Sequence, residues 1–430
     1  METSGSGVNA IEYAKQAGHT VTYLYSTLYD FTASPDQRKL ARKLADHALE
    51  VHDMSSTESL LEAVHAAGIR TSDVDAVLST LAFCAAQAAQ LADRIGARGT
   101  PLPAVTAARD KGRCREVLRD AGIPSLEFRV VRSRQEALSA AAEIGYPVII
   151  KPVLGVAKAA TTIVRTPDEV NAHFAGLTDS LQGMATGMSA HIDERFIVEQ
   201  LAIGDLCSVE VAAVNGTFVP LATTLQKTGA HNPVLELGCT TPADFPPAQQ
   251  KELEEYAVKV CRALGLDLGI FHTEVMHTAA GFRLTEVNPR MAGGALPETV
   301  NAVADRNMFE ILVDLYAGEA APPEPLRLDG AASHSVLGAA TPAAVSEDLP
   351  PDWFRAFEDR LHSGWAHVEP GGILIAMQGN FDRFGMIRAV AENADAARAA
   401  CGAVKTDIER ELGVPLVAEN TSRLPHSGTG

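Results

Sequence analysis

Two runs, IFHTEVMHTA (270–279) and GFRLTEVNPR (281–290), alternate apolar and polar side chains on either side of a tight Ala279-Ala280-Gly281 turn. That pattern predicts an antiparallel hairpin. Alternation along the second strand puts Glu286 and Asn288 on one face, and pairing can bring Glu274 across from them. Two carboxylates and a carboxamide oxygen form a hard-oxygen set, suited to a Mg2+ ion that keeps waters and shares oxygens with nucleotide phosphates. On these three residues alone, a solvated outer face has equal weight. The adjoining EVNPRMAGG favours a site, because Arg290 is a charge with no evident partner and Gly293 and Gly294 permit close ligand approach. His272 shares the strand face, and for it the structural reading is preferred.

The rest of the composition sets bounds. With 430 residues, 46% hydrophobic and 21% charged, disorder, collagen and coiled coil are excluded as the main organisation. Two to four subdomains are expected from that length. The 36 Lys+Arg against 54 Asp+Glu leave −18, which argues against nucleic acid and anionic membranes as partners. A local basic cluster or a bound divalent ion can still make a cleft receptive to a small anion. The six cysteines stand singly, without zinc or disulfide spacing, and no stretch of 18 uncharged apolar residues occurs. A soluble, cytoplasmic protein is the expectation.

Along the chain, Gly5 and Gly7 precede a helix and the strand Val21–Tyr25, with no strand before them. Asp75–Ser79 reads as a further strand and Cys84–Ile95 as a helix, giving a small doubly wound unit. The incomplete GSG pattern makes a dinucleotide site there the minor reading. TAARDKGRCREVLRDAGIP reads as one amphipathic helix stopped by Gly122 and Pro124. EFRVV, YPVIIKP, RFIVEQ, DLCSVEVAAVNG and TFVPLATTLQ read as strands, and PPAQQKELEEYAVKVCRALGL as a helix. A final helix follows Glu298. HSVLGAA and GGILIAMQGN are expected as strands of a last lobe, with an Ala-rich helix near Ala394–Cys401.

Three further segments could carry chemistry. Lys151 ends the apolar strand Val148-Ile149-Ile150, as a phosphate contact or simply as a solvated strand end. KPVLGVAKAATT after it offers Gly155, Lys158, Thr161 and Thr162, parts from which a phosphate-covering loop could be built. Glu199, Gln200 and Leu201 close a strand where backbone groups and an apolar face could receive an adenine, or where a strand simply turns. There is no GxSxG elbow and no support for nucleophilic serine or cysteine catalysis.

The order DKGRCREVLRDAGIP, YPVIIKP, FIVEQ, HTEV and LTEVNPR resembles the ATP-grasp superfamily of carboxylate–amine ligases over roughly residues 5–415, most strongly from Ala104 to about Gly318. ELGCTTPADFPPAQQKELEEYAVKVCRALGLDLGIFHTEV with EVNPRMAGGALPETV looks like the L-amino acid ligase branch, which makes dipeptides. The resemblance implies an α/β ATP-grasp architecture: an N-terminal doubly wound domain (1–105) and an ATP-grasp domain (106–320). The latter has a small ATP lobe at about 130–200 and a metal-binding lobe at about 201–320. A linker (321–330), a C-terminal α+β lobe (331–415) and a flexible tail (416–430) follow.

It also implies a reaction, in which ATP with Mg2+ (or Mn2+) converts a carboxylate to an acylphosphate. The amine of a second small amino acid then attacks, giving a peptide or γ-glutamyl-type amide with ADP and phosphate. By position, Lys111 and Lys151 resemble phosphate-binding lysines and Glu199 to Leu201 the adenine hinge. Glu274, Glu286 and Asn288 match metal positions, and Arg290 matches the arginine that holds a substrate carboxylate or oxyanion. Arg290, Lys151 and Glu286 are therefore the catalytic expectations. Glu236 and Cys239 fall where the family often reads Glu-x-Gly-His, near the amino-acid site, and Gly293 and Gly294 leave room for a larger substrate. The departures are Cys239 for histidine, a glycine-poor loop in which Lys158 and Thr161 stand in, and Leu206 where a ribose-binding acid is expected. That last departure leaves Asp205 or Glu210 as substitutes. Amino acids are the implied partners and a homodimer is allowed. The alternatives are another ATP-grasp ligase or carboxylase of nucleotide metabolism, or a non-catalytic nucleotide-binding module.

Overall fold

A computed structural model describes residues 1–155, 160–182, 192–318, 323–380 and 382–420, with side chains 178–182 left aside. Three sheets organise the part that bears the site. In the N-terminal region β1 (Thr22–Tyr25) and β2 (His47–Glu50) pair in parallel. β3 (Phe128–Val131), β4 (Val148–Pro152), β5 (Thr162–Val164) and β6 (Phe196–Gln200) form a four-stranded sheet ordered β3-β6-β4-β5. The large sheet contains β7 (Gly204–Val214), β8 (Thr217–Thr228), β9 (Glu236–Thr241), β10 (Leu268–Thr278), β11 (Gly281–Asn288) and β12 (Ala331–Leu337). After the two-residue β13 (Ala343–Ala344), β14 (Ser363–Ala366) joins that sheet, whereas β15 (Ile373–Leu374) pairs only with β13. With β16 (Gly385–Ala391) the eight-stranded order is β11-β10-β7-β8-β9-β12-β16-β14.

Alternation sorts β7 between two cores. Cys207, Val209, Val211 and Ala213 pack under the helix Pro247–Leu264, against Leu253, Ala257 and Val260. On the other face, Ala212 and Val214 pack against Val300 and Phe309, from the helices Leu296–Asn301 and Met308–Ala317. Strands β12 and β16 lie under the helix Ala394–Leu412, where Leu337, Ile387, Val404 and Ile408 share a core. The same sheet thus runs from the hairpin into the C-terminal region.

Several sequence expectations need correction. The single helix expected from Thr106 is two, Leu102–Arg109 and Lys111–Asp120, because Asp110 is extended and its carboxylate accepts from the Arg113 N–H at 2.8 Å. A capping side chain breaks a helix without altering its apolar period. The strand expected at Asp75–Ser79 reduces to one parallel bridge, Ala76 to Arg98. GGILIAMQGN keeps only Ile373–Leu374 and a bridge from Ala376 to Ala339. The first helix of the 296–318 region starts at Leu296, before Glu298, and a second spans Met308–Ala317.

The tail is not loose over 416–420: Val417 donates to the Gly338 carbonyl at 2.9 Å and Asn420 to the Thr228 carbonyl at 2.7 Å. Residues 421–430 and linker residues 321 and 322 lie outside the described residues. At the N-terminus no strand precedes Gly5, and the Met1 amine donates to the Leu78 carbonyl at 2.9 Å. Gly7 is glycine for packing: a Cβ there would lie 1.9 Å from Thr80 Oγ1 and 2.1 Å from Thr3 Oγ1. Among the described residues, no helix is long and apolar enough to cross a membrane.

Candidate active site

The hairpin forms with Glu274 directly opposite Glu286 and His272 opposite Asn288. Glu274, Glu286, Asn288 and Arg290 line one cavity of about 400 Å³, together with Lys111, Lys151, Thr161 and Glu236. The cavity lies where the small sheet meets the large one, so residues far apart in the chain converge. Its apolar end is built by Ile149, Leu201, Ile203, Leu206 and Met276.

The cations are held by carboxylates. Lys111 Nζ, at the start of its helix, lies 3.2 Å from Glu286 Oε1. Lys151 Nζ lies 2.6 Å from Glu199 Oε2, and Arg115 Nε donates to Glu199 Oε1 at 2.7 Å. Arg115 also donates through Nη2 to the Thr285 carbonyl at 2.9 Å, which ties this buried trio to β11. Burial pushes the Glu199 carboxyl up, but Arg115 and Lys151 outweigh it and hold the group below the usual glutamate range. Burial also pulls the Lys151 ammonium down. Arg290 is pulled down by burial against the opposing field of Glu210, Glu286, Glu274 and Glu236. Its Nη1 donates to the Met291 carbonyl at 2.8 Å and its Nη2 to Asn288 Oδ1 at 3.3 Å, so the arginine is pre-aimed.

Behind the hairpin, Glu210 Oε1 contacts His272 Nδ1 and Glu210 Oε2 accepts from the Ala292 N–H at 3.0 Å. This buried carboxylate therefore fixes the loop after Arg290. Burial alone would lower the His272 pKa, but Glu210 and Glu274 raise it to about 10. His272 Nε2 in turn lies 3.4 Å from Glu274 Oε1 and orients that carboxylate.

Some expected site residues are elsewhere. The Glu199 side chain is committed to Arg115 and Lys151, and Gln200 is exposed. The apolar hinge against the cavity is Leu201, Ala202 and Ile203. Asp205 falls on the opposite sheet face from Leu206, with its Oδ2 3.8 Å from His277 Nδ1, because adjacent strand residues point to opposite sides. Glu210 is likewise engaged, with His272 and the Ala292 N–H, and neither acid lines the cavity beside Leu206. Cys239 is sealed in the core, 3.6 Å from His334 Nδ1 on the neighbouring strand, and does not line the cavity. Gly293 and Gly294 also lie off the cavity wall, and Gly294 has a left-handed φ of +63 that favours glycine. Lys158 lies outside the described residues.

Residues not anticipated include Arg115, Asn380 and Asn420. Arg115 follows Lys111 by one helical turn, a spacing that could have revealed a shared face. No local pattern marks the two asparagines.

Among the described residues no three His, Cys, Asp or Glu side chains gather as a metal cluster. Two hairpin carboxylates and the Asn288 carboxamide still suit a Mg2+ that takes its remaining oxygens from water and phosphate.

Comparison with known proteins shows the fold. Residues 144–298 match the family described as ATP-grasp domain, and the chain has the mixed α/β ATP-grasp fold with its large antiparallel sheet. A solved L-amino acid ligase from Bacillus licheniformis superposes with a TM-score of 0.73, at 15% identity over 97% of this chain and 98% of that one. A biotin carboxylase from Campylobacter jejuni gives 0.67, at 18% identity over 97% and 91%. In sequence, the chain is 26% identical to an alanine–anticapsin ligase of Bacillus amyloliquefaciens, over 62% of this chain and 59% of that ligase. It is 27% identical to carnosine synthase 1 of Gallus gallus, over 71% of this chain and 33% of that enzyme. The chain thus spans less than two thirds of the length of these relatives.

Proposed function

We propose that this protein is an ATP-dependent, ADP-forming ligase that joins the carboxylate of one amino acid to the amine of another. The observation that carries the reading is that Lys111, Lys151 and Arg290 line one cavity with the hairpin residues Glu274, Glu286 and Asn288, with Lys111 Nζ 3.2 Å from Glu286 Oε1. Phosphoryl transfer between two anions requires positive charge held in fixed positions. The adenine ring would lie against Leu201, Ile203, Leu206 and Met276, with the phosphates toward Lys111 and Lys151. Glu274, Glu286 and Asn288 would hold Mg2+, which supplies charge neutralisation of the phosphates when bound.

In the proposed reaction, a carboxylate oxygen attacks the γ-phosphorus and the bond to the β-phosphate oxygen breaks, releasing ADP. The amine nitrogen of the second amino acid then attacks the acyl carbon of the acylphosphate and loses a proton as inorganic phosphate leaves. Arg290, whose guanidinium is oriented by the Asn288 carboxamide and the Met291 carbonyl, would hold the carboxylate and the oxyanion that follows. The names of the alanine–anticapsin ligase and carnosine synthase support amino-acid substrates, and alanine is the first to try.

ADP release with ATP and Mg2+, measured across all pairs of the twenty amino acids with mass spectrometry of the products, tests this. A pair-dependent product lighter than its two parts by one water is expected. ADP release that instead requires bicarbonate would make the protein a carboxylase, and tight ATP binding without turnover would make it a binding module.

A further inference from the structure

The cavity has a wall that comes from outside the ATP-grasp match at 144–298. Asn380 and Asn420 line it beside Pro233, Val234 and Glu236. Asn380 sits on a pinned loop: Asp382 Oδ2 accepts from the backbone N–H groups of Gln378 and Gly379 at 2.9 and 2.8 Å, and Arg383 Nη1 donates to the Asn380 carbonyl at 3.2 Å. Presented in this way, Asn380 holds Glu236 at two points. Its Oδ1 accepts from the Glu236 backbone N–H and its Nδ2 donates to Glu236 Oε2, both at 3.1 Å.

A carboxamide bonded to both the main chain and the carboxylate of one residue fixes that carboxylate's direction. Glu236 and Arg290 line the same cavity. The two ends of an amino acid are an ammonium and a carboxylate, so an oriented anion and an oriented guanidinium in one cavity define both where such a ligand lies and which way it points. We propose that Asn380 is a positioning residue that, by holding Glu236, sets where the ammonium of an amino-acid substrate lies relative to Arg290. The proposal rests on the ligase reading and deepens it: part of the selection of substrate is encoded in the C-terminal region, not in the segment shared with the ATP-grasp family.

The test uses the full-length chain and a double-mutant cycle. Binding of L-alanine and the other nineteen amino acids, each added singly, is measured by calorimetry with ADP and Mg2+ present. KM for ATP and for amino acid is taken from ADP release. Asn380→Ala should weaken amino-acid binding about tenfold, the scale of one hydrogen bond to a charged group, while KM for ATP stays within about twofold. In a Glu236→Ala background the same substitution should have no further effect, because Asn380 acts only through Glu236. Asn380→Asp, equal in shape but setting a like charge against Glu236, should give the same split if the alanine variant folds poorly. Equal loss of ATP and amino-acid affinity would overturn the proposal. So would a full tenfold loss added on top of Glu236→Ala, or failure of any amino acid to bind the unmodified protein. If amino acids bind and the cycle behaves as stated but no ADP forms, the ligase reading falls and the role of Asn380 stands.

Discussion

Glu286 faces Glu274 across the hairpin and Lys111 across the cavity, so replacing it tests the proposed metal-binding role without emptying the core. Glu286→Gln keeps the volume and removes the charge that would draw a divalent ion. ADP formation should fall at least about 100-fold, the usual scale for losing one charge-stabilising group, with the far-UV spectrum and thermal midpoint little changed. Turnover near the unmodified rate would remove Glu286 from the site. Glu199 should behave in the opposite way. Its carboxylate is enclosed with Arg115 and Lys151, and Glu199→Ala leaves two buried cations unpaired. A stability loss of about 3–5 kcal/mol in denaturant unfolding is expected. This pair of residues shows what the sequence discloses at this scale. Glu286 was readable because its partners lie on the next strand. Arg115 lies 84 positions from Glu199, so no local pattern announced that the Glu199 side chain belongs to a buried ion trio, whatever its backbone does at the strand end.

The segment 415–420 is an element that no periodicity announces. It crosses the ends of β8 and β12 by backbone bonds, including Ala340 to the Pro415 carbonyl at 2.7 Å and Ala230 to the Ala418 carbonyl at 2.8 Å. Glu419 anchors it: Oε1 lies 2.9 Å from Lys405 Nζ and Oε2 lies 3.7 Å from Lys227 Nζ. Burial raises the Glu419 carboxyl, but the two lysines outweigh it and leave the group below its ordinary 4.5. Stability from this anchor is therefore present above pH 4.5 and is lost as pH falls through the depressed folded value. The thermal midpoint of Glu419→Gln should lie below that of the unmodified protein at neutral pH, with the gap closing as pH drops below 4.5. A gap that stays constant to pH 3, about 1.5 units below that value, would show that the anchor does not act through charge. The hairpin, β4, β6 and the helix Pro247–Leu264 were legible because each carries its signal within its own residues. The helix break at Asp110 and the anchored 416–420 were not, since one depends on a single cap and the other on contacts with distant strands.

At the scale of the whole molecule, the large sheet does not end with the family match. β9 has β8 on one side and β12 on the other, with Cys239 paired to His334 and Thr240 to Ser333. Every residue of β12 is buried, and Thr240 Oγ1 lies 2.9 Å from Ser333 Oγ inside the sheet. A chain ended at residue 330 would keep 144–298 intact yet expose the β9 edge and strip a core face from Leu235 and Leu237, which pack with Val336. An open, apolar edge of this kind templates pairing with other chains. The truncated protein should therefore aggregate on size-exclusion chromatography under conditions where the full chain elutes as one discrete species. If it instead unfolds cooperatively at the same midpoint as the full chain, the C-terminal strands are an accessory layer. The cavity wall built by Asn380 and Asn420 would then rest on a separable unit. The first outcome would mean that the face bearing Glu274 and Glu286 and the segments presenting Asn380 and Asn420, joined by one sheet, fold as one body.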